Sequence, residues 1–357
     1  MNRKRQVTIV DIAETAGVSI ATVSNVLNRR NVPMAEETIR KVEETAERLG
    51  YRRNVMAASL SRRKSYELGL LVPGFGGYYG NFAEEMQRTA HQFGYHLSVF
   101  SSGGFDPEIE KRHMDLLLQR RVDGLVCHGL AMSQETTRKL VGEGTPLVLF
   151  NGWGWPGDLA VGAVNLDFAQ GDRDAVKHLY AEGCRKLFYL ARSRAHAVDE
   201  QRRIGFRQGV SALPEGLETE ILEFDEEDVE RIVERSAEAV QPDGPVGILA
   251  FDDFTAFTFM SAVLRAGYLV PEEFQIAGIN NDAIASRCYP SLTTVEIPYG
   301  FQARLALRLM LQHLGEEEKL RRMPFAEGEA LLAGGEHEIR IPLRLIRRMS
   351  TGRPGSR

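Results

Sequence analysis

Cysteine is scarce in this chain: Cys127, Cys184 and Cys288 are its only three, odd in number and far apart. That excludes a disulfide framework and fits buried thiols in a reducing compartment, so a cytoplasmic location is expected. No apolar run reaches the roughly 18 residues of a membrane span. The opening MNRKRQVTIVDIAE meets acidic residues before an apolar stretch can form, which argues against a secretory signal. The eight histidines are scattered without metal-ligand spacing, so no metal is expected. Also missing are the G-x-x-x-x-G-K-[ST] phosphate loop, the G-x-S-x-G elbow and the H-E-x-x-H pair. The stretch Gly74 to Gly80 is rich in glycine, but Tyr79 stands where a dinucleotide fingerprint needs one. An enzyme is therefore not expected, and neither is a cofactor.

Charge is present, but unevenly. Residues 1 to 64 carry 13 Lys/Arg against 7 Asp/Glu, a net +6, while the remaining residues carry a net −11. A basic head on an acidic body suits a head drawn to phosphates and a body with another task. A chain of 357 residues is too long for one typical core and implies two or three domains. A hydrophobic share of 43% with 26% charged residues places it among soluble globular proteins.

The head carries the sharpest pattern. Thr8 and Asp11 have the spacing of a capping box, a hydroxyl at the N-cap and a carboxylate three residues on. Ile12, Ala13 and Ala16 supply a small apolar face, and Gly17 stops the helix where a chain reversal needs positive φ. Ser19 can cap a second helix whose Val23, Val26 and Leu27 face inward. Ile20, Ala21, Thr22, Ser24 and Asn25 are left for its outer face. A plain αα-hairpin would satisfy the same spacing. A short helix, polar outside and angled by a glycine turn beside a basic surround, points further, to a DNA-binding helix-turn-helix. A third helix is expected over 36–49, from Ile39, Val42, Ala46 and Leu49. Residues 51 to 65 then form a connector with five Lys/Arg and no acid.

From residue 66 strands and helices alternate. Buried strands are expected at Leu68–Val72, His96–Phe100, Gly124–Cys127 and Leu147–Phe150, with helices over 81–93 and 107–119. The pattern restarts after about 166, with strands at Leu187–Ala191, Ile221–Phe224, Gly247–Phe251 and Gln275–Ile279. Helices are expected between them over 170–182, 200–211, 227–240 and 253–266. This is an open parallel sheet occurring twice. Two doubly wound lobes leave a cleft at the carboxyl ends of their strands, where small ligands bind.

The motif Thr8-Ile9-x-Asp11-Ile12-Ala13-x-x-Ala16-Gly17-Val18-Ser19-x-x-Thr22-Val23-Ser24-x-Val26-Leu27-Asn28 closely resembles the head of the lactose/galactose-repressor (LacI/GalR) family. The resemblance continues through Leu49-Gly50-Tyr51, Asn54, Ala57 and Leu60. It resumes at Asp123-Gly124-Leu125, His178-Leu179, Arg202, Gly205-Phe206, Asp253, Val270-Pro271, Leu292 to Val295 with Pro298, and Arg348 with Ser350-Thr351. It implies an α/β body of two type I periplasmic-binding-protein-like lobes behind a small all-α head. It also implies a helix-turn-helix domain over 1–50 and a hinge helix over 51–65. The effector-binding and dimerisation body would span 66–347, with a tail over 348–357. Three crossings between lobes, near 165, 292 and 326, would give lobe one residues 66–165 and 293–326, and lobe two residues 166–292 and 327–347.

The same resemblance assigns roles. Operator contacts fall on Thr8, Ser19, Ile20, Ala21, Thr22, Ser24, Asn25 and Asn28 in the head. In the hinge they fall on Asn54, Ala57 and Leu60, the last wedged into the minor groove. Arg53 stands where the family usually has proline. Asn25 stands where many members have arginine; arginine prefers guanine, whereas asparagine bridges adenine N6 and N7, so an A·T pair is expected there. The effector contacts implied are Tyr78, Tyr79, Asn151, Arg202, Asp252 and Asn280. Here carboxylate and amide are exchanged, the family usually having Asn at 252 and Asp at 280. Ile297 replaces a frequent polar residue. Trp153 and Trp155 form an aromatic loop, either near the cleft or packed against the hinge between lobes. The expected effector is a sugar or sugar derivative, with a nucleobase second. The expected protein is an operator-binding repressor acting as a homodimer, because its tail has no leucine heptad for further assembly. A transporter's solute-binding protein would share the two lobes but not the basic head.

Overall fold

The computed structural model describes residues 7–27, 32–51, 64–142, 144–192, 197–214, 216–240, 244–323 and 337–352. Asn28, Asn54, Ala57, Leu60 and most of the 51–65 connector lie outside these residues, as does the tail beyond Gly352. The chain forms two compact units, Met1–Tyr66 and Glu67–Arg357. Among the described residues no single helix is long and apolar enough to cross a membrane.

The first unit is all helical: α1 Ile9–Ala16, α2 Ile20–Leu27 and α3 Glu36–Arg48. None of the three is long enough to be stable alone in water, so their apolar faces hold them together. Ile12, Ala13, Val23, Val26, Val42 and Ala46 form that shared core.

The second unit holds two six-stranded sheets. Lobe one is built on β1 Glu67–Val72, β2 His96–Ser101, β3 Gly124–His128, β4 Leu147–Phe150 and β5 Gly162–Leu166. Lobe two is built on β6 Lys186–Arg192, β7 Glu218–Phe224, β8 Val246–Ala250, β9 Phe274–Asn280 and β10 Thr293–Glu296. Two further strands, β11 Glu338–Ile341 and β12 Arg344–Ile346, complete them. The orders are β11-β5-β4-β3-β1-β2 and β12-β10-β9-β8-β6-β7. Every pairing is parallel except β10 with β12. In both sheets the strand order reverses beside the first strand of the lobe, which places a crevice at the carboxyl ends of β1 and β3 and of β6 and β8.

Helices follow the strands: α4 Gly77–Gln92, α5 Pro107–Gln119, α6 Gln134–Val141, α7 Phe168–Ala181, α8 Ala197–Ser211, α9 Val229–Ala237 and α10 Asp253–Arg265. Three more are α11 Ala283–Arg287, α12 Tyr299–His313 and α13 Glu317–Arg322. Strands buried on both faces explain the continuous apolar run at β1, where Leu68, Leu70, Leu71 and Val72 are all buried. Helices α7 and α8 approach closely at Gly205, where a Cβ would lie 2.4 Å from the carbonyl oxygen of Ala169. Only glycine fits there.

The lobe boundaries differ from the expected ones. The first crossing lies at Asp167, between β5 and α7. The second lies at 297–298, because β10 pairs with β9 and so belongs to lobe two. The third lies at 342–343, because β11 pairs with β5 in lobe one. Crossings near 292 and 326 are thus corrected: residues 293–296 are lobe two and residues 338–341 are lobe one. A strand's membership is decided by which backbone it hydrogen-bonds, and a short apolar run carries no mark of that.

Candidate functional site

In the head, the capping box forms as spaced. Thr8 N donates to Asp11 Oδ2 at 2.8 Å, and Asp11 N donates to Thr8 Oγ1 at 3.5 Å. Gly17 takes φ +64° with open space around its Cβ position, so conformation and not crowding requires it. The axes of α1 and α2 are bent by 111° across this turn, within the range of a helix-turn-helix. Ser19 Oγ accepts from Thr22 N at 3.0 Å and caps α2. Val23 and Val26 turn inward while Ile20 stays 47% exposed. Ser19 and Ala21 are exposed with it, and Thr22, Ser24 and Asn25 are half-buried. Thr8, Ser19 and Thr22 are engaged within the caps, while Ile20 and Ala21 stay exposed on the outer face of α2.

In the body, the expected effector residues divide into two groups. Tyr78, on α4, and Asn151, after β4, belong to a closed polar triangle inside lobe one. Asn151 Nδ2 donates to the Tyr78 hydroxyl at 2.9 Å, and that hydroxyl donates to Gln302 Oε1 at 2.8 Å. Gln302 Nε2 returns to Asn151 Oδ1 at 3.2 Å and to Val164 O at 3.0 Å. Burial, and then the neighbouring Tyr79 and Tyr299, hold the Tyr78 phenol well above its ordinary pKa, so it stays a donor. These two residues therefore brace α4 and α12 against the sheet. Gln302 had no signal in the sequence, because its helix lies beyond the strand–helix alternation read there.

Tyr79 follows on α4. Its ring stands edge-on to His128 at 5.1 Å and to Phe105 at 6.3 Å. Burial raises its phenol pKa, and the charges of Arg202 and Arg192 of lobe two offset this only in part.

Lobe two supplies the rest. Arg202, on α8, is 2% exposed. Its guanidinium lies 4.4 Å from the Phe168 ring centre and 4.2 Å from that of Phe251. Its Nη1 donates to the carbonyl of Phe251. Its Nε is buried with no hydrogen-bond partner among the described residues. Trp153 meets Phe168 at 6.0 Å, so it packs at the first crossing, while Trp155 joins the core of lobe one. Asp252 caps α10, accepting from Thr255 N at 2.8 Å. Asn280 takes φ +123° and donates Nδ2 to Asp282 Oδ2 at 3.2 Å. That bond sets the amide's orientation and leaves its Oδ1 buried without a donor among the described residues. Asp253, fully buried beneath, has its carboxyl pushed up to about 7 by burial, against the bonds from Thr294 and the Asp282 amide. Phe168 and Phe251 were not legible as site residues; only their places at a crossing and after a strand hinted at them. A cavity of about 280 Å³ beside Lys186, Glu218, Glu220 and Arg235 lies at the amino ends of β6 and β7, away from this crevice.

A glycine-turn helix pair ahead of two doubly wound lobes with a polar crevice defines a DNA-binding regulator with a ligand-binding body. Comparison with known proteins agrees. Residues 8–54 match the model of bacterial regulatory proteins of the lacI family, and residues 176–351 match a periplasmic binding protein-like domain. Catabolite control protein A of Staphylococcus xylosus is 28% identical over 313 residues, covering 87% of this chain and 94% of that protein. Among solved structures, the lac repressor dimer bound to operator and the anti-inducer ONPF superposes with a TM-score of 0.79 at 19% identity. It covers 98% of this chain and 100% of that one. A periplasmic binding protein/LacI transcriptional regulator from Alkaliphilus metalliredigens QYMF, complexed with D-xylulofuranose, gives 0.61 at 25% identity, over 80% of this chain and 99% of its own. The chain belongs to the lacI family of bacterial regulatory proteins, which are transcription regulators and not enzymes.

Proposed function

We propose that this protein is a cytoplasmic, homodimeric repressor that reads operator DNA through α2 and is switched by a hydroxyl-bearing effector, a sugar or sugar derivative. One observation carries the effector class. Among the described residues, Arg202 Nε is a buried donor without an acceptor, and Asn280 Oδ1 is a buried acceptor without a donor. A hydroxyl is both at once, and aromatic faces beside it suit a sugar ring. The relative complexed with D-xylulofuranose supports the class. Asp252 is proposed as a further hydroxyl acceptor through the oxygen that does not cap α10. Leu60 is proposed as the minor-groove wedge, with Asn54 and Ala57 beside it.

Arg202→Ala is expected to lower affinity for the best-bound sugar of a pentose and disaccharide panel. The loss should be about 1.5–3 kcal/mol, the worth of a hydrogen bond to a charged group. Calorimetry on the full chain checks this, and undiminished affinity would remove Arg202 from the site. Operator affinity without sugar should be unchanged.

Asn25→Ala is expected to cost about 1–3 kcal/mol at one A·T pair of each half-site, because an asparagine amide bridges adenine N6 and N7. Selection from random duplexes should show that position relaxed and the others kept. An identical selected sequence in the variant would exclude Asn25 from base reading. A salt-dependent mobility shift on the gene's own upstream DNA tests the repressor reading as a whole.

A further inference from the structure

The two lobes touch across the crevice through a polar pair with no role in the reading above. Asn81 lies on α4 of lobe one, and Asp282 follows β9 of lobe two. Asn81 Nδ2 donates to Asp282 Oδ1 at 3.0 Å. The other carboxylate oxygen accepts from Asn280 Nδ2 at 3.2 Å. One carboxylate therefore joins the buried amide of lobe two to lobe one.

Its position is unusual for a capping residue. Asp282 occupies the N-cap of α11 but makes no side-chain bond to that helix. An aspartate there ordinarily accepts a backbone N–H of the first turn. Here both oxygens are engaged by asparagine amides, one of them across the crevice.

The backbone beneath is held in place. Asp282 N donates to Asp253 Oδ2 at 2.7 Å, and Thr294 Oγ1 donates to Asp253 Oδ1 at 2.6 Å. Asn281, at φ +56°, is bound by Thr294 at 3.2 Å, Glu296 at 3.0 Å and Arg348 at 2.6 Å. These bonds fix the direction in which the Asp282 side chain leaves its loop.

We propose that the Asn81–Asp282 bond is a latch between the lobes, and that Asp282 is the positioning residue through which occupancy at Asn280 reaches the lobe interface. The second half rests on the effector reading above. A ligand hydroxyl drawn to Asn280 Oδ1 turns the amide, withdraws Nδ2 from Asp282 and changes the carboxylate's hold on Asn81. The signal is thus local chemistry acting on an interface with two arrangements.

The test needs neither effector nor DNA, so a crevice that binds no sugar leaves its outcome intact. Spin labels are placed at Leu116→Cys on lobe one and Leu269→Cys on lobe two, both exposed, in a Cys288→Ser background. Labelled full-length chains are diluted into excess unlabelled chain, so that distances within one chain are read. The parent should give one distance population. Asn81→Ala and Asp282→Ala should each add a longer one, raising the open-to-closed ratio about tenfold, as expected for loss of one charge-assisted hydrogen bond. The double variant should open no further than either single one. Asn81→Asp sets a second carboxylate against the first and should open the lobes more than alanine. Asp282→Asn keeps an acceptor for Asn81 and should stay closed. Unchanged distances in Asn81→Asp, or alanine effects that simply add in the double variant, would overturn the latch.

Discussion

Ile12→Ala is expected to leave the head largely unfolded and to cut operator affinity more than tenfold, while the body keeps its fold. Ile12 is fully buried in the six-residue core of the head. Truncating a buried isoleucine costs about 2–5 kcal/mol. A unit of this size has a total stability of roughly 3–10 kcal/mol at typical values per residue. The loss is therefore a large share of the whole. The cores of the two lobes contain no residue of the head, so they are untouched. Heteronuclear NMR of the full chain should show head resonances collapsing to unfolded positions, with body resonances unmoved. Ile20→Ala, on the exposed face of the same small unit, should leave the head folded. If operator affinity survives Ile12→Ala, the head is not the DNA-reading unit.

Glu110→Gln is expected to flatten the fall in stability of the body between about pH 4.5 and 7. Glu110, 3% exposed on α5, turns its Oε2 to the amides of Ala131 at 2.9 Å and Met132 at 2.8 Å, clasping the loop after β3. Burial raises its carboxyl from 4.5 to about 7, and the two amide bonds only partly offset that. The folded state thus holds a proton that the unfolded chain has already released. Stability is fully present below the unfolded pKa and is lost as pH rises through the folded one, a change of at most about 3 kcal/mol. Glutamine keeps an acceptor for both amides and does not ionise. At pH 8 the variant should exceed the parent in stability, and at pH 4.5 the two should be close. Urea unfolding across this range checks it. Asp253, raised in the same direction, leaves a residual slope in the variant. Parallel curves for parent and variant would exclude the Glu110 carboxyl as the source.

Much of the head was legible because its signals are local. A capping box, a glycine at positive φ and an apolar spacing of three and four residues each act within one turn of helix. The body strands were legible for a related reason: a strand covered on both faces must be apolar throughout. The site was legible in part. Arg202 and Asn280 came from position after strands, and each holds a buried polar atom without a hydrogen-bond partner among the described residues. Tyr78 and Asn151 came from the same reasoning, yet their polar atoms close on Gln302 within lobe one. Position at a strand end says that a side chain is near the crevice. It does not say whether another helix already satisfies it.

What the sequence determined by itself was the kind of protein: a basic helix-turn-helix head, an acidic body of two parallel sheets, and a crevice between their strand ends. Helical and strand periodicity, caps and charge are properties of neighbours along the chain, so they survive in the order of residues. Only the tertiary structure decided which lobe owns residues 293–296 and 338–341, which crevice amides are already engaged, and that Asp282 forgoes its own helix for Asn81. Those outcomes depend on groups 201 positions apart in the case of Asn81 and Asp282. Which of several equally polar partners a side chain meets is set by the packing of whole elements, and no local pattern records it.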